Sequence, residues 1–537
     1  MKKKTVISAI LAATMVFSLA ACGGGQSGTA ATTQAETAGA QETGAQTQAD
    51  GAETQTDGAE AAGHKDTLII ALPAEPATLD PYAHSNQNGF ICTTLIFDTL
   101  IRRTDDGEYE PRLAKEWEMV DDTTIRFVLR DDVTFHDGSK FTAEDVKFSL
   151  GMAAESSFSK NLFGCVDIEN TNVIDDNTIE VKLQYAYAPF LEALASHRGA
   201  IIPKAAYESM GAEAFARAPI GTGPMKFKEW VTGDRIEFDK YDDFWGEPMA
   251  FDNFVARVIV EASSRTIELE TGGVDIAFEL APADWNRIDE NPETQLISGN
   301  TQGVSFLCLN NSLDPIKDNE NLRKALAYGL NLEALVQMAW QGTADVADSY
   351  YSSTIFGHKA VGPMEYNPDK AKELLAEAGY PDGLTITYMT YESTVNQAFA
   401  EVLQNMWGQI GVTVNIQMID LATFTEKNNN GEIPCALMTN TAVIPDPDAA
   451  LLAWPTHRTI SLRHNDTHID ELLEKGKSIY DFAERQAVYE ELQDYLWEKM
   501  YTIPIAFPRG AYGATSQVAN LPFYANLCPD LTRVKFQ

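Results

Sequence analysis

Three histidines, His457, His464 and His468, fall in one segment, PTHRTISLRHNDTHID, and the last two are four residues apart. On a helix that spacing turns two imidazoles to the same side, a geometry that suits a divalent metal. Asn465 and Asp466 between them read as a turn or a helix cap, and no Cys or Glu completes a set. The segment is therefore read as surface histidines, and no metal or cofactor is expected. Nucleophilic chemistry has no better support, because the chain lacks GxSxG, HExxH and any recognisable Cys–His pairing. It also lacks GxxxxGK[ST], so it has no ATPase of its own. Carboxylates are the one abundant reactive type, with 78 Asp and Glu against 40 Lys and Arg. A pair facing a cleft, as in glycoside hydrolysis, keeps a cell-surface hydrolase as a remote alternative. The net charge of −38 argues against nucleic acid, whose binders need basic patches, and favours neutral or cationic partners.

Cys22 is the exception to this chemical silence. Lys2, Lys3 and Lys4 precede sixteen uncharged residues, VISAILAATMVFSLAA. A basic start, a short apolar core and small residues at its end describe a secretory signal over 1–21. The run is shorter than a spanning helix needs. Leu19-Ala20-Ala21-Cys22 resembles the bacterial lipobox, which implies acylation of the Cys22 thiol and cleavage just before it. Stable anchoring takes more than one chain, as the di- or triacylation of such lipoproteins supplies. Residues 22–65 follow, rich in Gly, Ala, Thr and Gln, with no aromatic or branched aliphatic residue. Such a segment has too little apolar surface to offset the entropy of ordering. It reads as a flexible tether with an end-to-end distance of about 35 Å.

Behind the tether lies a body too long for a single core. Its five cysteines, Cys92, Cys165, Cys308, Cys435 and Cys528, are odd in number and widely spaced, and read as buried core residues rather than a disulfide framework. Thr67–Leu72 reads as a short buried strand, followed by a polar loop, PAEPATLDPYAHSNQNGF. Thr124–Leu129 alternates as a strand, and a helix starts at Thr142, with Asp145 placed for a capping box. The clearest grammar lies between Asn367 and Ile419. Asn367-Pro368 opens a helix that ends at Gly379. A strand over 384–391, a helix over 396–410 and a strand over 412–419 then make a βαβ unit with parallel strands. Ligands of open α/β sheets sit beyond the carboxyl ends of strands. That rule selects Thr390, Tyr391 and Glu392, and, after the first strand, Glu75 and the group Asn86-Gln87-Asn88.

Several stretches together resemble the extracellular solute-binding proteins of family 5, the receptors of peptide, nickel and related ABC importers. They are PAEPATLDP, IFDTLIRRTDDGEYEPRLAKEWEMVDDTTIRFVLRDDVTFHDGSKFTAEDVKFSL, GTGPMKFKEW, GGVDIA, NLRKALAYGLNLEAL, NPDKAKELLAEAGYPDG and AERQAVYEELQDYL. The resemblance implies an α/β, type II periplasmic-binding-protein-like fold. Two lobes are joined by a hinge, and an extra α+β domain is inserted in the first. Lobe I would take 66–98, 219–303 and 505–537, the inserted domain 99–218, and lobe II 304–504, with a mostly parallel sheet. GTGP at Gly221–Pro224 would be a tight turn on the return from the inserted domain. The implied role is non-enzymatic. A monomer, extracytoplasmic and held to the bacterial membrane (cell surface or periplasm) by its lipid alone, closes on a solute. It then passes the solute to a membrane permease driven by separate ATPase subunits.

The ligand is read from TNTAVIPDPDAALL, residues 439–452. In peptide-binding members an aspartate ahead of the DP pair holds the ligand's α-amine. Alignment on Asp446-Pro447 puts Val443 at that place, with Asp446 or Asp448 as alternative amine partners. The arginine that dipeptide receptors place at the end of the 384–391 strand is also missing around Thr390-Tyr391. Asn440, Thr441, Val443 and Asp446 join the candidate ligand contacts. A peptide or peptide-like solute is the first expectation. A nickel chelate, a cationic metabolite or an oligosaccharide is the alternative.

Overall fold

The computed structural model describes residues 65–457 and 461–537. The expected signal, Cys22 and all of the tether but Lys65 lie outside the described residues. No helix among the described residues is long and apolar enough to cross a membrane.

Thr67–Leu72 forms the strand its apolar run predicts, with Leu68, Ile70, Ala71 and Leu72 buried. It runs parallel to Asn253–Val258 on one side and Ile276–Phe278 on the other. These three are the parallel centre of a ten-stranded mixed sheet. Arg235–Lys240 and Met225–Val231 extend it antiparallel on one flank, and Thr502–Thr515 on the other. The parallel strands end at Leu72, Val258 and Phe278, so the loops that follow them share one rim.

Thr502–Thr515 is the spine of the sheet. Its second half, from Arg509, pairs with Thr294–Asn300, and its first half with Gly303–Leu309 and Ala344–Val346. Gly303–Leu309 pairs in turn with Cys435–Thr441. The chain thus crosses from one half of the sheet to the other at Thr301–Gln302 and returns alongside at Pro508. Thr301 fixes the crossing, donating its amide (3.1 Å) and its hydroxyl (2.7 Å) to the Pro508 carbonyl.

Between Ile101 and Arg217 the chain builds a separate antiparallel sheet, in the order Ala114–Asp121, Thr124–Leu129, Thr178–Lys182 and Asn172–Asp175. The helix Ala143–Glu155 begins where the capping box predicts, but Asp145 does the capping: its carboxylate takes both the Thr142 amide (2.9 Å) and hydroxyl (3.0 Å). The neck of this α+β body is a buried polar knot. Asp98 accepts from Arg112, Thr222 Oγ1 (3.1 Å) and Trp245 Nε1 (3.0 Å). His136 holds the returning strand, with Nε2 2.9 Å from the Gly223 carbonyl and Nδ1 accepting the Gly221 amide at 3.2 Å. A Cβ on Gly221 or Gly223 would collide with the backbone of Leu95 and Ile96. These glycines serve close backbone approach rather than the expected turn.

The βαβ unit forms as read: Leu384–Thr390 and Val412–Met418 pair in parallel around the helix Thr394–Gln409. It is a separate two-stranded sheet, however, and Gly303–Leu309, Ala344–Val346 and Cys435–Thr441 all pair antiparallel. The expectation of a mostly parallel sheet over 304–504 is corrected accordingly. Cys435–Thr441 lies beside Leu384–Thr390, linked by the Leu437 amide to the Tyr388 hydroxyl (3.4 Å), but gives its ladder to Gly303–Leu309. All five body cysteines are free and buried.

Candidate ligand site

Two walls flank the crossing. The first is the rim formed by the loops after the parallel strands. Here Glu75 accepts from Trp230 Nε1 (3.0 Å) and the Gly233 amide (3.1 Å). Asn86 caps the helix Gln87–Ile96 by accepting the Gly89 amide (3.3 Å). Asn88 is buried and donates to the Ala74 carbonyl (3.0 Å). The structure brings all three to one rim, with their polar groups engaged in bracing the 73–89 loop. Gln87 donates to the Leu527 carbonyl and lines a cavity of about 390 Å3 together with Phe278, Glu279, Trp285, Tyr512 and Leu527. No motif in the sequence pointed to Phe278-Glu279; the signal would have been their place at the carboxyl end of a parallel strand.

The second wall comes from the βαβ unit and the 435–446 segment. Thr390 is buried at its strand end, and Tyr391 is half-buried, edge-on to Phe424 with centroids 5.1 Å apart. Along the other segment, Thr439 and Thr441 are exposed at the end of the strand Cys435–Thr441, and in the bend that follows Val443 is exposed while Ala442 and Ile444 are buried. Thr441 lies opposite Gly303, so this outward row begins at the crossing. Asn440 turns aside and donates to the Ala450 carbonyl. Asp446 is 3% exposed and grips Arg485 through both oxygens at 2.8 Å. It also caps the short helix Pro447–Ala450 by accepting the Asp448 amide (2.9 Å). Asp448 accepts from the Tyr187 hydroxyl (2.8 Å), and burial raises its pKa. Both carboxylates near Val443 are therefore committed to internal partners. Val443, 39% exposed, belongs to a row that offers hydroxyls and methyl groups but no charge.

The histidine segment does not converge. His464 corrects the surface reading: it is buried, with Nε2 2.8 Å from the Trp454 carbonyl and its ring stacked on Tyr501. His468 sits in the next helix, Thr467–Ser478, capped by Asp466. The two imidazoles belong to different elements, as the cap reading of Asn465-Asp466 required. His457 ends the described stretch before 458–460.

Known proteins place this architecture. The family model described as bacterial extracellular solute-binding proteins, family 5, matches residues 108–461. The glutathione-binding protein GsiB of Pectobacterium atrosepticum is 28% identical over 447 residues, covering 80% of this chain and 86% of the relative. GsiB of Escherichia coli is 26% identical over 454 residues, covering 82% and 88%. The structure of the periplasmic binding protein DppA from Helicobacter pylori, in complex with the peptide STSA, is 26% identical. It superposes with a TM-score of 0.72 over 88% of this chain and 98% of that one. HbpA2 of Haemophilus parasuis, 23% identical, shares the fold at a TM-score of 0.80 over 88% and 100%. This is the two-lobed α/β fold of periplasmic binding proteins. The chain belongs to the bacterial extracellular solute-binding proteins of family 5, whose members bind a solute rather than transform it.

Proposed function

We propose that the protein is the capture subunit of an ABC importer for peptides or peptide-like compounds. The observation that carries this reading is the pair of walls, a braced rim with a cavity and a row of uncharged exposed residues, on either side of the place where the chain crosses twice between halves of one sheet. A ligand touching both walls favours the closed arrangement over the open one. The relatives supply the class: GsiB is named for binding glutathione, and DppA holds a tetrapeptide. An uncharged row suits a ligand held largely by its backbone.

In this reading lobe I comprises 66–98, 219–303 and 505–537, and lobe II 304–504, with the change of pairing partner a few residues beyond 505. Residues 99–218 travel with lobe I through the neck. Tyr391, Thr441 and Val443 face the ligand from lobe II, and the buried Thr390 ends the strand that carries Tyr391. Glu75, Asn86 and Asn88 hold the opposing loop, and Asn440 and Asp446 hold the 439–450 segment. Cys22 carries the lipid and 22–65 the tether, so the protein works as an anchored monomer beside its permease and ATPase subunits.

Thermal unfolding across a panel of dipeptides, longer peptides, nickel chelates, cationic metabolites and oligosaccharides tests the class. Ligand at a hundred times its Kd adds about 2.7 kcal/mol, a midpoint shift of a few degrees. Peptides are expected to produce it. A shift from a nickel chelate or an oligosaccharide, with none from any peptide, would overturn the peptide reading.

A further inference from the structure

Glu279 differs from Glu75, Asp446 and Asp448, whose carboxylates have internal partners. It follows directly on Ile276–Phe278, at the rim where the parallel strands end, and its φ is +49°. That left-handed conformation disfavours a side chain with a Cβ and is kept only where surrounding structure enforces it. The enforcement is Arg265, 3% exposed on the helix Ala262–Glu270. Its guanidinium donates to the carbonyls of Ile259 (2.7 Å), Val260 (2.7 Å), Phe278 (2.8 Å) and Glu279. One buried cation thus ties together the loops that follow two parallel strands and sets the backbone of residue 279.

The side chain so placed is exposed. Among the described residues its carboxylate has no hydrogen bond and no ion pair, the Arg265 guanidinium acting on it only through space, and it is the only charged group lining the 390 Å3 cavity. Phe278, Trp285 and Tyr512 give that cavity an aromatic wall. A second polar group there is unsatisfied: Trp285 Nε1 is buried with no acceptor among the described residues. A carboxylate without a hydrogen-bond partner beside an aromatic wall matches a ligand residue that carries an ammonium group next to an apolar side chain.

We infer that Glu279 pairs with an ammonium group of the ligand, and that the cavity beside it receives the apolar residue bearing that group. This rests on the receptor reading above. It puts the charged anchor on the opposite wall from Val443, where the resemblance would have placed it.

The test is calorimetric titration of the wild-type protein, Glu279→Gln and Glu279→Gly with three probes: Phe-Ala-Ala, its N-acetyl form and spermidine. The ligand-free unfolding midpoint is measured for each protein. Acetylation and Glu279→Gln are each expected to weaken Phe-Ala-Ala about ten- to hundredfold, and Glu279→Gln to leave the acetylated form nearly unchanged. Glu279→Gly, which relieves the left-handed φ, is expected to raise the ligand-free midpoint while losing the same affinity. Free and acetylated peptide binding equally, with Glu279→Gln changing neither, would overturn the pairing and leave the peptide receptor standing. Spermidine binding through Glu279 without any peptide binding would support the pairing and overturn the peptide class. No binding by any probe at millimolar concentration would count against both.

Discussion

Asp446 and Asp448 on one wall of the site and Glu279 on the other are carboxylates used in opposite ways. On the second wall Asp446 is buried, gripped by Arg485 and capping a helix, and Asp448 is held by Tyr187. On the first wall Glu279 is exposed, with a backbone that Arg265 forces into a costly conformation. Around Val443 the second wall converts its negative charge into stability and exposes hydroxyls and methyl groups, and its exposed carboxylate, Glu392, lies apart from that row on the βαβ unit. The first wall gives up stability to present a charge.

The largest effect should come from Asp446→Ala. It strands the Arg485 guanidinium, whose side chain is 9% exposed, and breaking such a buried pair costs about 3–5 kcal/mol. Urea unfolding should show this loss, while Glu279→Ala stays within about 1 kcal/mol of wild type. Equal losses would erase the distinction between the walls.

An intermediate effect concerns acid. His84, 3% exposed on the first-wall loop, is held to a pKa of about 4 by burial and by the nearby Arg198. Its unfolded value is about 6.5, so between the two the unfolded chain takes up a proton that the folded chain refuses. Stability from neutral His84 is complete above about pH 6.5 and falls by roughly 3 kcal/mol as the pH drops toward 4. His136 at the neck titrates in the same window. His84→Gln should therefore remove one proton's worth of slope and leave that of His136. An unchanged slope would mean that the first-wall loop opens to solvent before the molecule unfolds.

The smallest effect sharpens the comparison from the other side. Val443→Asp restores a carboxylate on the exposed row of the second wall. Stability should change by no more than about 0.5 kcal/mol. Affinity for a free-amine peptide should rise up to about tenfold, worth about 1.4 kcal/mol. A fall in affinity would show that Val443 contacts an apolar part of the ligand.

The sequence made local structure legible where local chemistry decides it. Asn367-Pro368 at a helix start and two short apolar strands around a helix placed the βαβ unit to within a few residues, because caps and periodicity act over one or two turns. The Thr142–Asp145 box was legible for the same reason, though which partner accepts was not. The spine Thr502–Thr515 was not. It contains Pro504 and Pro508, which read against a central strand, and only its alternating partners make it one. Glu279 was hidden because a positive φ is imposed by Arg265 from another element. The internal pairing of Asp446 was hidden because Arg485 lies 39 residues away. Val443 could be singled out only through the family's pattern.

The central claim is that the molecule closes on a peptide and releases it unchanged. Small-angle X-ray scattering of the purified protein, with and without saturating Phe-Ala-Ala, tests it most directly when the peptide is recovered afterwards for mass analysis. The account predicts a smaller radius of gyration in the complex and an intact peptide. Binding without compaction, or recovery of a cleaved peptide, would contradict it.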